Sequence, residues 1–370
     1  MLLKFEVKNF KGFKDWFLLD FSNTSEFKFN PECIKSSVVN KAMIYGANGS
    51  GKSNLGFAIF DIISHLTNKD YGRSIDQNFL NANTDNDLAE FKLFFKFGKD
   101  IVEYQYGKQS KTALVYEYLK VNDELFISLD RRKSSSAVVK LEGAESLNTE
   151  IGDSKISIIN YVKNNTILSD TPVNSAFSKF IDFVDGMLFF RSLSDNYYLG
   201  IEQDPSSIAE DIIQHDNILD FQTFLNDAGI ECILTVMERN GEPSLAFSFD
   251  DKPVYFFDVA STGTCSLALF YFWYQRLKED SKVSMVFVDE FDAFYHHDLS
   301  KLIVSRLKEI DAQVVLTTHN TSLMTNDLLR PDCYFLMNKE EINPLSQCTE
   351  KELRNAHNLE KMYKAGAFNV

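Results

Sequence analysis

The residues Gly46-Ala47-Asn48-Gly49-Ser50-Gly51-Lys52-Ser53 fit the pattern G-x-x-x-x-G-K-[ST], a spacing able to hold phosphate. Glycines let a backbone turn tightly and aim successive N–H groups inward, which makes a concave nest for an anion. The Lys52 ammonium would place a point charge on the β- and γ-phosphates of a nucleotide, and the Ser53 hydroxyl would ligate Mg²⁺. The flanks agree with this chemistry. Residues 38–45 read as a short buried strand, and residues 55–63 carry apolar side chains at helical spacing. Strand, glycine loop and helix, in that order, put the phosphate at a helix N-terminus. Gly46, Asn48, Gly49, Ser50, Gly51, Lys52, Ser53 and Asn54 are the candidate nucleotide-binding residues of this stretch.

Three further groups could work on the same phosphate. Ser284-Met285-Val286-Phe287-Val288-Asp289-Glu290 is an apolar run that ends in two carboxylates. Such a strand, buried in a parallel sheet, points its acids at the nucleotide. Asp289 would hold Mg²⁺ through water, and Glu290 would orient and deprotonate the attacking water. Val314-Val315-Leu316-Thr317-Thr318-His319 is a second apolar run, ending in a histidine. One helix, expected at 298–309, separates the two runs. The two strands should therefore be neighbours, with His319 at the same sheet edge, where a neutral imidazole can bond the γ-phosphate. Upstream, Ser261-Thr262-Gly263-Thr264 opens another apolar helix. Ser261 and Gly263 would lie at its N-terminus, again a geometry suited to an anion.

The rest of the chain must position these groups. Its 370 residues are 44% hydrophobic and 25% charged, enough for a sizeable core. The expected division is an N-terminal lobe at 1–156, a helical insertion at 157–229 and a C-terminal lobe at 230–370. Two strands open the chain, around residues 3–7 and 16–21, joined by the basic link Lys8-Asn9-Phe10-Lys11-Gly12-Phe13-Lys14. From 89 to about 140 the apolar period becomes two, which predicts an antiparallel meander. Residues 176–184 and 208–225 have helical spacing. Strands return at 231–236 and 244–249 around the turn Arg239-Asn240-Gly241-Glu242. No run of 18 uncharged apolar residues occurs and the first residues lack a signal-peptide pattern, so the expectation is a cytoplasmic protein with no membrane partner. The five cysteines are scattered without a C-x-x-C pair, which predicts reduced thiols rather than a zinc site. A formal net charge of −15 argues against broad affinity for nucleic acid but leaves a local basic groove open.

Phosphate loop, S-x-G, the acid-ended strand and the histidine occur in the order of the ABC-type ATPase heads, which include the SMC, RecF and double-strand-break repair ATPases. More narrowly, the chain resembles the bacterial ATP-binding proteins grouped as AAA-family, which are ABC-like. The opening Asn9-Phe10-Lys11-Gly12-Phe13, the stretch Tyr45 to Ser53, Glu117-Tyr118-Leu119, Ser261-Thr262-Gly263-Thr264 and the tail Asn358 to Phe368 carry this likeness. It implies an α/β fold, an ABC-type P-loop ATPase head with an antiparallel β meander and a small helical insertion. It also implies ATP and Mg²⁺ as cofactors and a head-to-tail homodimer or higher homo-oligomer. Lys52, Ser53, Asp289, Glu290 and His319 would act on one nucleotide, and Ser261 and Gly263 of the second copy would close over it. Asp292 resembles the acid that links the two sites. The sequence departs from the pattern in three places. The signature lacks the full Leu-Ser-Gly-Gly-Gln, Phe294-Tyr295-His296-His297-Asp298 replaces Gly-Leu-His-Pro, and no Q-loop glutamine is evident, with Gln77 as a candidate.

Three function classes follow. One is an anti-phage sensor whose ATP-driven assembly controls a separately encoded effector, a nuclease or another toxin. Longer relatives of the overcoming-lysogenisation-defect type carry a fused nuclease, whereas about 50 residues follow His319 here. The second is a RecF-like repair ATPase that binds DNA through Lys8, Lys11 and Lys14 or Arg131-Arg132-Lys133. The third, ranked last, is a transporter motor.

Overall fold

A computed structural model of the chain describes all residues except 68, 70–77, 152–154, 192–196, 200–207, 251, 280–281, 294–296 and 370. Two seven-stranded sheets organise the described residues. The first is wholly antiparallel. It is built from β1 (Leu2–Lys8) and β2 (Phe17–Asp20), and from the meander β6 (Ala89–Phe97), β7 (Asp100–Ser110), β8 (Ala113–Val121), β9 (Glu124–Asp130) and β10 (Val138–Val139). Its order is β10-β9-β8-β7-β6-β1-β2. The alternation read at residues 89–140 is the cause: Phe91, Leu93 and Phe95 point into the core while Glu90, Lys92 and Phe94 lie on the other face. A two-residue hairpin, β3 (Ile34–Lys35) with β4 (Val38–Val39), leads from this sheet toward the second.

The second sheet holds β5 (Lys41–Tyr45), β11 (Met187–Arg191), β12 (Tyr197–Leu199), β16 (Met285–Asp289), β17 (Gln313–Thr318), β18 (Tyr334–Met337) and β19 (Ile342–Pro344). Its order is β12-β11-β16-β17-β5-β18-β19. The five central strands are parallel, and β12 and β19 pair antiparallel at the edges. Continuous apolar runs such as Met43-Ile44 and Val314-Val315-Leu316 suit strands covered on both faces. The remaining strands, β13 (Leu234–Arg239), β14 (Glu242–Phe249) and β15 (Lys252–Tyr255), form a separate three-stranded sheet. Asn240 and Gly241 both have positive φ in its first hairpin, as the tight turn requires.

The helices are α1 (Lys52–Phe60), α2 (Ile63–Leu66), α3 (Ile158–Asn165), α4 (Pro172–Asp185), α5 (Ile208–Gln214), α6 (Ile218–Asp227), α7 (Phe256–Val259), α8 (Thr262–Glu279), α9 (His297–Lys308) and α10 (Leu359–Lys364). Residues 157–229 were expected as a helical insertion. They do carry α3 to α6, but they also carry β11, a parallel strand beside β16. That span is therefore woven into the central sheet. Met187-Leu188-Phe189-Phe190 is too short and too uniformly apolar to be told from a helical segment by periodicity.

Helix α1 lies between the two sheets. On one side Gly56 lets it approach the parallel sheet closely: a Cβ there would stand 2.5 Å from Phe189 and 2.8 Å from Phe287. On the other side Asp61, just past its end, accepts from Lys108 at 2.8 Å and Tyr106 at 3.1 Å, both on β7. The Asp61 and Lys108 side chains are wholly buried. Further along the meander, Glu117 accepts from Ser157, Tyr104 and the backbone N–H of Ile158. It thereby anchors the start of α3, which gives the Glu117-Tyr118-Leu119 stretch a structural role. Buried Gln313 joins the two sheets, bonding both backbone groups of Leu2 and the carbonyl of Val39.

At the start of β5, Lys41 is buried and donates to the carbonyls of Ile310 and Ala312 at 2.8 and 2.6 Å. Burial drops its ammonium from 10.5 to about 8. A base with a lower pKa folded than unfolded contributes stability that is complete above the unfolded value and is lost as pH falls through the folded value. Between pH 8 and 10.5, urea unfolding of the wild type should therefore gain stability relative to Lys41→Met as pH rises. Parallel curves for the two proteins would contradict this.

Candidate functional site

The phosphate loop leaves the end of β5 and feeds directly into α1. Gly49 and Gly51 have positive φ, and Gly51, at φ 104°, is the N-cap of α1. Ser50 N donates to the Ala47 carbonyl at 3.1 Å, which closes the loop, while Ala47, Asn48 and Gly49 form its exposed tip. Lys52 is nearly buried. Its Nζ donates to the Gly46 carbonyl at 2.8 Å and stands 3.1 Å from His319 Nε2. Burial pulls its pKa below the ordinary lysine value, opposed by the charges of Asp289 and Glu290. Ser53 and Asn54 occupy the first turn of α1 and are half-buried.

Strands β16 and β17 are adjacent and parallel, and β17 in turn lies beside β5. The ends of the three strands therefore meet at one sheet edge. Asp289, the last residue of β16, is fully buried. Glu290 follows with φ +48°, a strained conformation for a residue with a side chain. His319 follows β17, and its Nε2 stands 3.8 Å from Glu290 Oε1. Lys52, Asp289, Glu290 and His319 are thus brought together as the spacing predicts.

Thr317, which the sequence alone does not single out, joins this cluster. Its hydroxyl donates to Asp289 Oδ1 at 2.7 Å and accepts from the Glu290 backbone N–H at 2.8 Å. One buried hydroxyl thereby fixes both the first acid and the backbone of the second. The signal was its place two residues before His319 on a strand adjacent to the acid pair. Asp292 sits where Thr318 and Asn320 hold it by hydrogen bonds, yet burial still pushes its carboxyl above the usual range. Gln77 and His296 lie outside the described residues. His297 Nδ1 is 2.6 Å from Ser322 Oγ, so it is engaged with the turn after β17.

Ser261 caps α8: its Oγ accepts from Thr264 N at 3.1 Å and lies 2.9 Å from Thr264 Oγ1. With Thr264 it lines a separate cavity, which no residue of the phosphate loop, β16 or β17 enters. Gly263 is half-buried in the same first turn.

The chemistry of the main cluster fits a nucleotide and a cation. The Ser50 Oγ and Glu290 Oε2 atoms are buried without a protein partner among the described residues. Among those residues no cluster of three or more His, Cys, Asp or Glu can hold a metal. A cation at Ser53 and Asp289 would therefore complete its shell with phosphate oxygens and water, as Mg²⁺ does.

Most of the candidate DNA contacts have partners within the chain. Asp130 accepts from Arg132 at 2.8 Å and pairs with Lys133 at 3.3 Å, and Arg131 donates to the carbonyls of Leu114 and Ile156. Lys8 lies over Trp16, and Lys11 lies over Phe10 and Phe57. Arg132, Lys133 and Lys14 remain exposed to solvent. No helix among the described residues is long and apolar enough to cross a membrane.

A glycine loop opening a helix, with one parallel strand between its own strand and the acid-ended one, defines a P-loop nucleotide-binding domain. The chain belongs to the family described as "AAA domain, putative AbiEii toxin, Type IV TA system", which matches residues 41–325. No curated protein sequence matches it. Among solved structures it is similar to an SMC head bound to the C-winged helix domain of ScpA, at 15% identity and TM-score 0.48, covering 93% of this chain and 97% of that one. It is also similar to the SMC head domain from Thermotoga maritima, at 14% identity and TM-score 0.43, covering 93% and 98%. A third is the Smc head with an extended coiled coil, bound to the C-terminal domain of ScpA derived from Pyrococcus furiosus. There the identity is 13% and the TM-score 0.44, covering 92% and 95%.

A Cβ at Gly46 would stand 2.5 Å from both Ser50 Oγ and the Met337 carbonyl. Gly46→Ala should therefore distort the loop and weaken binding of a fluorescent ATP analogue by about tenfold or more, roughly 1.4 kcal/mol. Unchanged affinity would mean that the loop absorbs the methyl group.

Proposed function

We propose that this chain is an ATP-hydrolysing head of a homodimer or higher homo-oligomer, working in a bacterial cytoplasm, whose assembly controls a separately encoded toxic effector in anti-phage defence. The observation that carries the ATPase reading is the meeting of Lys52, Asp289, Glu290 and His319 at the ends of three adjacent parallel strands. What supports the defence reading is the family description, which names a toxin of a toxin–antitoxin system.

The reaction is in-line attack of water on the γ-phosphate of ATP. The loop N–H groups of Gly49, Ser50 and Gly51 receive the phosphates, and Lys52 turns from the Gly46 carbonyl to them. Mg²⁺ held by Ser53 and Asp289 would offset the charge of the phosphate oxygens. Glu290 Oε2, buried and without a protein partner among the described residues, accepts the proton of the attacking water. His319, between Lys52 and Glu290, donates to the γ-phosphate and senses its departure. Ser261 and Gly263 of the second copy close the site, so hydrolysis follows dimerisation and is slow.

Two measurements test this. Light scattering of Glu290→Gln with Mg-ATP should show a stable step from lower to higher mass, while Lys52→Ala should show neither ATP binding nor the step. Hydrolysis by Glu290→Gln at the wild-type rate would remove Glu290 as the base. Thr317→Val should lower turnover about tenfold or more with ATP affinity largely kept, since it frees both acids from one hydroxyl, and Thr317→Ser should restore most of the rate. Equal losses in the Ser and Val variants would point to packing as the cause.

A further inference from the structure

Beside the Ser261 cap lies a cavity of about 960 Å³, open to solvent, that the ATPase reading does not use. Its walls come from the three-stranded sheet and the segments around it, among them Ile233, Phe249, Val254 and Val259. Three of these are large apolar side chains left in water: Ile233 is 63% exposed, Phe249 57% and Val259 53%. Single exposed apolar residues are ordinary, but a cluster of them lining one cleft marks a surface made to be covered.

The segments that supply these walls are predominantly acidic. Residues 226–264 contain seven Asp and Glu and only two Lys and Arg. Glu231 lines the cavity itself, and Glu238, Glu242 and Asp250 are exposed on the hairpin strands and turns. Arg239 is bound to Asp258 at 2.9 Å, with its guanidinium over the Tyr255 ring, Asp227 pairs with Arg306 at 3.4 Å, and Lys252 is exposed, which leaves Glu231, Glu238, Glu242 and Asp250 in excess. The cleft therefore offers an apolar floor and an acidic border. A second copy of this chain, with a net charge of −15, would bring like charge to that border.

We propose that this cleft docks a basic amphipathic segment of a separate protein. The apolar face of that segment covers Ile233, Phe249 and Val259, and its lysines or arginines meet Glu231, Glu238 and Asp250. Ser261 and Thr264 form one end of the cleft, so the docked segment touches the first turn of α8. Under the dimer reading above, that turn closes on the nucleotide of the second copy. Docking and ATP-driven closure are then reciprocally coupled. The coupling rests on the dimer reading, whereas the docking does not.

The test uses the full chain without nucleotide, so it is independent of dimerisation. A fluorescein-labelled leucine–lysine amphipathic helix is titrated by anisotropy, with a leucine–glutamate helix as the charge-inverted control. The proteins are wild type, Ile233→Asp, Phe249→Asp and, on the meander far along the chain, Leu125→Asp. All three positions changed are partly exposed, and circular dichroism checks each fold. The expected result is binding of the basic peptide to wild type and Leu125→Asp, loss of about tenfold or more in each cleft variant, and weakening with salt. The acidic peptide should not bind. Equal affinity of the basic peptide for all four proteins would show only diffuse attraction to an acidic surface and would overturn the proposal, as would no binding to wild type. If Ile233→Asp and Phe249→Asp instead abolish the ATP-dependent mass step in the absence of peptide, a second copy covers this face and the proposal falls.

Discussion

Everything at the candidate site hangs on how α1 is wedged between two sheets. A helix that presents its first N–H groups to phosphate must not shift along its axis when charge arrives, because binding at a helix terminus falls off within one turn. Here the wedge is tight on one side because Gly56 has no side chain to hold Phe189 and Phe287 away. On the other side it is electrostatic, because Asp61 is locked to Lys108 in a fully buried pair. Such a pair gives little net stability against an apolar replacement, but losing one partner alone leaves an uncompensated buried charge, costing about 3–5 kcal/mol. The helix that carries Lys52 is therefore fixed in register to the meander. The meander is accordingly part of the nucleotide site's support.

A second constraint acts across the sheet edge. Two acids at the end of one strand would repel each other and wander if left to their own torsions. The Thr317 hydroxyl, buried on the neighbouring strand, accepts from the backbone N–H of Glu290 and donates to Asp289. This places Glu290 in a left-handed conformation, a local strain that the surrounding sheet sustains. The acid side chains end up with distinct environments: Asp289 is wholly buried, whereas Glu290 reaches toward His319. Two carboxylates adjacent in sequence can thus take two different tasks.

Much of this was legible from the chain alone, and the reasons are physical. The phosphate loop has a spacing that few other structures need, and an apolar run ending in Asp-Glu or in His has few places to go but the edge of a parallel sheet. The adjacency of β16 and β17 followed from the short helix between them. Other features were not readable. Strand β11 was hidden inside a helical stretch because four apolar residues have no period of their own. The short strand β15 and the edge strand β19 lacked a pattern of any length. For Arg131, Arg132 and Lys133 the sequence shows charge but not partners, and Asp130, their immediate neighbour, is the carboxylate that both Arg132 and Lys133 share. Thr317 stayed unnoticed because a threonine on a buried strand is ordinary until its neighbour strand is known to end in two acids.

The order of the central sheet has a consequence in time. Strand β5, which carries the phosphate loop, spans residues 41–45, yet both strands that flank it, β17 and β18, lie beyond residue 312. During synthesis the loop therefore emerges early and waits, without either neighbour, until the residues beyond 312 have left the ribosome. Its apolar run is exposed throughout that interval, a demand on chaperones that grows with the distance between paired strands. The strand that carries the loop is thus paired on both sides only after residues 313–337 have been made, and a chain stopped before them, however well its meander folds, lacks both neighbours of that strand.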